Sequence, residues 1–459
     1  MEYFELIGVP LIFEIAFHGP WTIDHGLNDF TNRVSPNFPF ICSMNKSVTI
    51  IGGGVIGLCC AYYLRQQGHE ITLIERGDIT DGTSFGNAGY VSPSHFIPLA
   101  SPGIIAKGLR WMLSSSSPFY IKPRANMDLA RWIFQFWKNA NAETVHHNAP
   151  HLFNILSLSR ELTSSIKNDL GNHFRMEEKG CLMLYKNPLI EKHEADLAKQ
   201  AKRFGIETRI LSSHEVQEME PEVEVTARGG ILYPIDCHLH PGDFMRTLKN
   251  HLQEKGVKFC FNTEVTTFER KNNTIKAVLT KTERFPCDEI ILSPGSWLPL
   301  LASKLNISLL LQAGKGYSIT YENIARNLHY PAILVDHRVA MTPMGADLRM
   351  GGTMEISGIN KNILLKRVQK IFKAAKEYYP NLPVSFPEIE KIWSGLRPLT
   401  PDGLPYIGRH SSYRNLTIAG GHAMLGLSLA AGTGKLVEEI ISGKNPQIDM
   451  SAFAVERFG

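Results

Sequence analysis

Val48 to Glu75 read VTIIGGGVIGLCCAYYLRQQGHEITLIE, and this stretch decides the fold. Its apolar start, Val48–Ile51, is typical of a buried parallel strand. A helical pattern then runs to Gly68, and a second apolar run ends on Glu75. The order strand, helix, strand predicts a βαβ unit with parallel strands.

Three glycines lie between the first strand and the helix, at Gly52, Gly54 and Gly57, in the spacing G-x-G-x-x-G. The first allows a sharp turn, the second lets a pyrophosphate approach the backbone, and the third lets the helix pack close to the strand. The helix N-terminus then offers free N–H groups to the phosphates. Glu75 ends the second strand, where an acid accepts hydrogen bonds from a ribose. The complete unit predicts a dinucleotide site and weighs against an ordinary glycine turn.

The composition is that of a globular protein, with 459 residues, of which 43% are hydrophobic and 20% charged. This length favours two domains over one. The net charge of +4 is mild, and no block of like charge indicates nucleic-acid binding. The seven cysteines form no C-x-x-C pair, which argues against a disulfide framework and favours free thiols in a reducing compartment. No apolar run is long enough to cross a bilayer, so any membrane association is expected to be peripheral.

Residues 1–43 differ from the rest of the chain. They carry five acids and one base, a net charge of +1 − 5 = −4, unlike the basic start of a signal or transit peptide. Met44-Asn45-Lys46, directly before the first strand, is typical of a natural chain start. We therefore predict that residues 1–43 are an extension outside the fold, either misassigned upstream sequence or a loose appendage.

A loop of small residues and hydroxyls, Gly82–Pro93, follows the second strand. Such a loop brings backbone N–H groups and hydroxyls to a polar ligand. Small apolar members such as Ala88 and Val91 favour close packing on a ligand over an ordinary surface loop.

Several motifs together resemble a known family. The glycine motif, the Glu75-Arg76 pair and the stretch T-S-F-G-N-A-G-Y-V-S-P at 83–93 resemble FAD-dependent amine oxidoreductases of the D-amino acid oxidase superfamily. They resemble most the bacterial D-amino acid dehydrogenases of the small-subunit type. The likeness continues through 98–104, 109–113, K-G-Y-S at 315–318 and W-x-G-L-R-P-x-T-P-D-G-x-P-x-I-G at 393–408. It covers residues 44–459.

The resemblance implies an α/β fold, with a Rossmann-like FAD-binding domain interleaved with an α+β substrate domain built on an antiparallel sheet. The strong alternation of residues 307–355 also predicts such a sheet. We assign 44–130, 210–300 and 390–459 to the FAD-binding domain and 131–209 and 301–389 to the substrate domain.

Three further segments carry predictions of local structure. Residues 126–170 show aromatic residues at helical spacing and predict helices covering the substrate domain. Residues 176–185 predict a hairpin with its turn near Gly180. Residues 229–241 predict one strand that presents His238 and His240 on the same side. A third metal ligand is missing beside these histidines, so a zinc site is not expected.

The cofactor implied by the resemblance is FAD, with Val265 near the adenine and the glycine-rich turn at Gly421 against the flavin ring. Relatives with covalent flavin use a cysteine in the C-terminal half, and none follows Cys287, so we predict non-covalent FAD. The predicted FAD-binding residues are Gly52, Gly54, Val55, Ile56, Gly57, Glu75, Arg76, Thr83, Ser84, Asn87, Ala88, Gly89, Val265, Gly295, Gly421, His422, Met424, Leu425 and Gly426.

The implied reaction is oxidative deamination of a D-amino acid. A hydride moves from the alpha carbon to flavin N5, water hydrolyses the imine to a 2-oxo acid and ammonia, and electrons pass to a quinone or another carrier. The cofactor carries the difficult chemistry, and the protein must bind and orient the substrate. The sequence accordingly shows no convincing catalytic dyad.

Three side chains are candidates for substrate contact. Arg397 of the G-L-R-P motif is the first choice, because a guanidinium binds a carboxylate in bidentate fashion; the alternative is an arginine that bridges the domains. Tyr317 is the second, through its hydroxyl, against an ordinary strand tyrosine. His238 is a candidate for lining the substrate cavity, and a histidine hydrogen-bonded between domains is an equal alternative.

Other functions stay open at this stage. One is an oxidase or dehydrogenase of glycine, sarcosine or D-proline/D-hydroxyproline, and another is a non-catalytic flavoprotein. A NAD-dependent dehydrogenase is disfavoured, because the loop at 83–93 and the turn at Gly421 both suit a flavin ring. We expect a cytoplasmic location, compatible with peripheral contact at the inner face of the membrane. The substrate side chain, the electron acceptor and the oligomeric state are not fixed by the sequence.

Overall fold

The computed structural model describes residues 45–80, 82–100 and 119–459. The predictions made for residues 1–43, for Met44 as a chain start and for the motif stretch at 101–118 lie outside these ranges.

The strands of the described ranges are β1 (Ser47–Ile51), β2 (Glu70–Ile74), β3 (Tyr90–Val91), β4 (Phe119–Ile121), β5 (Cys181–Tyr185), β6 (Arg209–Ser212), β7 (Gly229–Tyr233), β8 (Cys237–His238), β9 (Lys258–Cys260), β10 (Val265–Lys271), β11 (Thr274–Thr280), β12 (Arg284–Pro286), β13 (Glu289–Leu292), β14 (Gln312–Tyr321), β15 (Ala332–Leu334), β16 (Val339–Met344), β17 (Asp347–Ile356), β18 (Ile392–Leu399), β19 (Tyr406–His410) and β20 (Tyr413–Gly420). The α-helices of the same ranges are α1 (Val55–Gln66), α2 (Met127–Asn139), α3 (Ala142–Leu170), α4 (Pro188–Arg203), α5 (Ser213–Met219), α6 (Pro241–Glu254), α7 (Leu298–Ala302), α8 (Leu365–Tyr378) and α9 (Ala430–Ser442).

The first sheet has the strand order β19-β20-β13-β1-β2-β9. Every neighbouring pair is parallel except the edge pair β19–β20. The β1–α1–β2 unit predicted from the sequence lies at its centre. Helices α1, α3 and α9 share one apolar core on this sheet, and the strands are buried because helices cover them.

The second sheet has the order β18-β14-β17-β16-β15-β5-β7-β6, with β4 also pairing with β17. It is antiparallel apart from the pairs β15–β5 and β17–β4. Helix α8 buries its apolar face against it, in a core separate from that of the first sheet. The predicted antiparallel sheet is therefore confirmed. It also includes β4, β7, β18 and most of β6, which lie in segments that the sequence analysis assigned to the FAD-binding domain.

Two local predictions are wrong. Residues 176–185 do not form a hairpin, because β5 pairs with β7 and β15 instead of with the residues before Gly180. Residues 229–241 do not form one strand, because a turn separates β7 from β8. His240 consequently lies outside the strand, and its Nδ1 accepts a hydrogen bond of 3.0 Å from the Asp243 N–H at the start of α6.

Candidate FAD and substrate site

A cavity of about 700 Å³ lies where the two sheets meet. Its lining includes Ile51 and Ile74, which are the carboxyl ends of β1 and β2, and Ser293, which directly follows β13. The strand order changes direction here, with β13 on one side of β1 and β2 on the other. In open parallel sheets, this is the position at which ligands bind.

The glycine turn packs closely against neighbouring backbone at two of its three glycines. Gly52 has a φ of +112°, and a Cβ there would lie within 3.0 Å of the Ser293 carbonyl. A Cβ on Gly57 would likewise collide with the Gly52 carbonyl, because α1 packs closely on the turn. The Val55 N–H donates to the Ser84 hydroxyl at 3.1 Å, which ties the loop after β2 to the start of the helix. Small residues and a helix N-terminus thus form a cradle for phosphates.

Glu75 and Arg76 line the cavity next to this turn. The Glu75 carboxylate accepts the N–H groups of Gly53 at 2.6 Å and of Gly77 at 2.9 Å, which fixes its position. The Arg76 guanidinium lies over the Trp297 ring, 4.3 Å from its centroid. This end of the cavity offers an acid for a ribose and apolar surface for a base.

The turn before α9 forms another part of the lining. Gly421 has a φ of +80° and Ala423 one of +48°, so the backbone bends sharply before the helix. His422 is buried, its Nε2 lies 3.0 Å from the Thr433 hydroxyl, and burial lowers its pKa to about 3. It is therefore neutral at physiological pH.

The structure brings most of the predicted FAD-binding residues into one lining. Only Gly57, Gly89 and Gly421 among them do not line the cavity. A Cβ added to any of these three would lie within 3.0 Å of neighbouring atoms, so they pack tightly next to the lining without belonging to it.

Arg397 extends from β18 over the second sheet and lines the same cavity. Its guanidinium lies on the backbone of Gly316 in β14, where a Cβ would come within 3.0 Å of three guanidinium atoms. Its Nη1 donates to the Thr353 carbonyl at 2.7 Å. Burial lowers its pKa to about 10, so it stays charged at neutral pH. It forms no salt bridge with another residue of the described ranges, and a buried cation facing a cavity favours an anionic ligand.

Thr353 holds Arg397 from a strained position. Its φ is +60°, rare for a β-branched residue, and it lies at a register shift between β14 and β17. A bulge of this kind redirects a backbone group, here the carbonyl that Arg397 contacts. Strain of this type is common at functional sites.

Tyr317 is not placed as its predicted role requires. Although it belongs to the lining, its side chain lies on the opposite face of β14 from Gly316 and Arg397, because neighbours along a strand alternate. Its hydroxyl donates to Glu355 Oε2 at 3.0 Å and accepts the Leu364 N–H at 3.3 Å. These contacts join β14 to Glu355 of β17 and to the start of α8, so we do not assign the hydroxyl to the substrate.

His238 also departs from the prediction. It is fully buried in β8, which pairs with β3, and it is absent from the cavity lining. Burial lowers the pKa of its ring to about 4.

Arg349 and Trp393 contact the loop after β2, and the sequence analysis did not single them out. Arg349 reaches from β17 to the loop after β2, donating to the Asn87 carbonyl at 2.7 Å and the Phe85 carbonyl at 3.2 Å. Trp393 lies between Gly86 of that loop and Gly395 of β18, where added Cβ atoms would overlap its ring. Strand alternation was the available signal. Arg349 shares a face of β17 with Gly351, and Trp393 shares a face of β18 with Arg397.

An acid is buried behind another part of the lining. Asp236 accepts the Ser94 N–H at 3.0 Å and the Ser94 hydroxyl at 2.6 Å, and its pKa is raised to about 7, chiefly by burial. The neighbouring His95 lines the cavity, and burial lowers its pKa to about 4.

A dinucleotide cradle beside a second, largely antiparallel sheet is typical of a cofactor-dependent oxidoreductase. The chain belongs to the family of FAD dependent oxidoreductases, whose pattern matches residues 47–440. FAD is therefore the cofactor, and the cradle fits it.

Curated relatives extend this result. The chain is 34% identical over 425 residues to a D-amino acid dehydrogenase from Granulibacter bethesdensis, covering 90% of this chain and 99% of the relative. It is also 34% identical over 399 residues to a D-amino acid dehydrogenase from Helicobacter pylori, covering 86% and 95%.

Solved structures confirm the fold. Glycine oxidase from Geobacillus kaustophilus superposes with a TM-score of 0.72 at 22% identity, covering 90% of this chain and 99% of that protein. L-proline dehydrogenase from P. horikoshii gives 0.70 at 19% identity, covering 90% and 98%. No helix in the described ranges is both long and apolar enough to cross a membrane.

Proposed function

We propose that this protein oxidatively deaminates D-amino acids to 2-oxo acids and ammonia, passing electrons to a quinone or another carrier. The observation that carries the proposal is Arg397, a buried cation without an acidic partner among the described residues, in the wall of the FAD cavity. The relatives named D-amino acid dehydrogenase, at 34% identity, support the choice of substrate.

Arg397 would bind the substrate carboxylate through two parallel hydrogen bonds. The Thr353 carbonyl occupies one guanidinium N–H and the Gly316 backbone supports its plane, so the remaining donors face the cavity in a fixed orientation. An oriented substrate needs little further help, because positioning supplies much of the rate. When bound, FAD supplies the acceptor for the hydride of the alpha carbon.

The amine must be neutral before the alpha hydrogen leaves as a hydride. Arg397 next to the substrate disfavours a second cation, and burial disfavours any charge without a partner. Burial lowers the pKa of His95 and of His422 in the lining, so both rings stay neutral at physiological pH and are weak proton acceptors. We assign no single residue as the base.

FAD is held without a covalent bond in this proposal. The family's covalent attachment uses a cysteine in the C-terminal half, and no cysteine follows Cys287 in the sequence. Acid precipitation should therefore release the yellow colour into the supernatant, and colour that stays with the polypeptide would contradict this part.

The test is anaerobic mixing of the purified protein with D-amino acids, their L-isomers, glycine, sarcosine and D-proline, followed by flavin absorbance. We expect bleaching by D-amino acids. Arg397→Lys keeps the charge but loses the planar fork, so half-saturation should rise by roughly 10- to 100-fold with FAD content unchanged. Unchanged half-saturation in Arg397→Lys would remove Arg397 from this role. Bleaching only by glycine or sarcosine would favour the alternative substrates.

A further inference from the structure

The part of the cavity lining that comes from β14 to β18 carries only positive charge. We call the lining residues within 312–399 the substrate wall. Its charged members are Arg338, Lys361 and Arg397, and no acid lies among the described residues of this wall. The acids of the lining are Glu75 and Glu264, in the segments that follow β2 and β9 of the other sheet. The proposed role of Arg397 uses one carboxylate, so two cations of the substrate wall have no function yet.

Arg338 lies in the turn between β15 and β16. In the pairing of β16 with β17, Val339 stands opposite Gly352. Continuing this register by one residue places Arg338 beside Thr353, and a Cβ added to Gly352 would lie 3.1 Å from the Arg338 carbonyl. The Thr353 carbonyl is the group that holds Arg397. Because neighbouring strands lie about 5 Å apart, one small ligand can meet both arginines.

The charge of Arg338 is kept in this position. Burial lowers its pKa from the usual 12.5, and Glu194 of α4 opposes that shift. Glu194 is itself buried, which raises its pKa to about 7, and it does not belong to the lining. A guanidinium remains charged in proteins. Arg338 therefore brings a cation to the substrate wall, and the acid near it does not line the cavity.

Lys361 reaches the substrate wall from the loop 357–364, between β17 and α8. Buried Lys315 of β14 holds this loop, because its Nζ donates to the Asn360 Oδ1 and to the Asn362 carbonyl, both at 2.6 Å. Both chain neighbours of Lys361 are thus fixed. Lys361 is exposed, so it lies at the open edge of the cavity.

The chemistry of the substrate wall favours a ligand with two carboxylates. Three cations on one wall repel each other, and negative charge among them offsets that repulsion. With the first carboxylate on Arg397, a second one at the end of a short side chain would meet Arg338 and Lys361. A guanidinium fork and an ammonium group both form strong, charge-assisted hydrogen bonds with a carboxylate.

We propose that Arg338 and Lys361 form a second carboxylate site, which selects D-amino acids with an acidic side chain, D-glutamate or D-aspartate. This inference rests on the proposed function, and it names the substrate class within it.

The experiment is anaerobic reduction of the flavin in the purified FAD-loaded protein by D-glutamate and by D-glutamine, which share a shape and differ in charge. D-aspartate and D-asparagine form a second pair, and D-alanine is the substrate without a side-chain polar group. We expect a half-saturating concentration at least about tenfold lower for the acidic member of each pair, because the amide replaces charge-assisted hydrogen bonds with weaker neutral ones.

Arg338→Gln should raise the half-saturating concentration of D-glutamate roughly tenfold and leave that of D-alanine unchanged. Lys361→Gln should raise it by roughly two- to fivefold, because an exposed ion pair contributes less. Arg338→Lys keeps the charge and should retain part of the preference. The matched control is Arg326→Gln/Lys366→Gln, which removes two positive charges from exposed residues outside the lining and should behave like the unmodified protein.

Equal half-saturation for D-glutamate and D-glutamine would overturn the inference while D-alanine turnover upheld the proposed function. An equal loss for D-alanine in Arg338→Gln, or the same loss in the control, would also overturn it. If no D-amino acid reduces the flavin, the proposed function fails.

The second carboxylate site is then tested without turnover, by titrating the oxidised protein with glutarate and with butyrate and following the flavin absorbance. Tighter binding of glutarate that Arg338→Gln abolishes would support the site, and equal binding of the two acids would refute it.

Discussion

Gly316→Ala is the sharpest test of the substrate site, because it changes Arg397 without altering any chemical group of the arginine. The added Cβ would lie within 3.0 Å of the Arg397 Cζ, Nη1 and Nη2 atoms. The end of a long side chain can move, so the guanidinium should shift off Gly316 and lose its contact with the Thr353 carbonyl. The backbone of β14 needs no positive φ at this position, so the strand should stay intact.

The expected size of the effect follows from the carboxylate hydrogen bonds. A hydrogen bond to a charged group contributes about 1.5–3 kcal/mol. Losing one of two such bonds raises the half-saturating substrate concentration roughly 10- to 150-fold, since about 1.4 kcal/mol corresponds to a factor of ten. The reduction rate at saturation should fall as well, because a displaced substrate is poorly aligned for hydride transfer.

The assay is anaerobic stopped-flow reduction of the bound flavin across a range of D-amino acid concentrations. Gly351→Ala is the matched control, since it adds the same methyl group to the same lining at ordinary contact distances of 3.6 Å or more. FAD content per polypeptide should be equal in both variants. If Gly316→Ala reduces its flavin with the kinetics of the unmodified protein, Arg397 does not anchor the substrate.

Three further substitutions test other parts of the site. Tyr317→Phe should lower the free energy of unfolding by about 1–3 kcal/mol, because buried Glu355 loses a donor; denaturant titration measures this, and a raised substrate half-saturation would contradict our placement of the hydroxyl. Gly395→Ala should reduce FAD content, read from absorbance, because its Cβ would displace Trp393 from the loop at Gly86. Asp236→Asn should raise the Tm more, or lower it less, at pH 8 than at pH 5. Burial raises the pKa of Asp236 from 3.8 to about 7. The contribution of Asp236 to the free energy of unfolding is therefore full below pH 4 and lost as the pH rises through 7. An equal change at both pH values would contradict it.

The dinucleotide half of the site could be predicted because its constraints are local. Gly52 must turn, Gly57 must let α1 approach, and Glu75 must end the next strand, so short spacings in the sequence carry the geometry. The observed contact of Glu75 with Gly53 follows from those spacings. The contact of Gly52 with Ser293 requires in addition that β13 pairs with β1.

The substrate half could be predicted less well, because strand alternation does not say which face meets the cavity. The motif K-G-Y-S divides in β14, with Lys315 and Tyr317 on the side of Glu355 and with Gly316 and Ser318 on the side of Arg397. From the sequence alone, the hydroxyl group favours Tyr317 as the functional residue of this motif. The glycine proves to be the residue that contacts the arginine.

His238 shows a second limit. Residues 229–241 alternate like one strand, but the turn between β7 and β8 resets the alternation, and the ring becomes buried away from the cavity. The turn is closed by the Asp236 N–H, which donates to the Tyr233 carbonyl at 3.2 Å. Apolar alternation alone does not reveal such a break.

The spacing W-x-G-x-R in β18 has a physical reason, which depends on the motif and the fold together. Residues two apart face the same side of a strand, so Trp393, Gly395 and Arg397 all point toward the cavity. Gly395 pairs directly with Gly316 of β14, and the indole covers the first glycine while the guanidinium covers the second. Glycine weakens a strand, so two paired glycines would be costly without a use for the space. Here that space lets the Trp393 ring contact the loop at Gly86 and lets the Arg397 guanidinium line the cavity beside it.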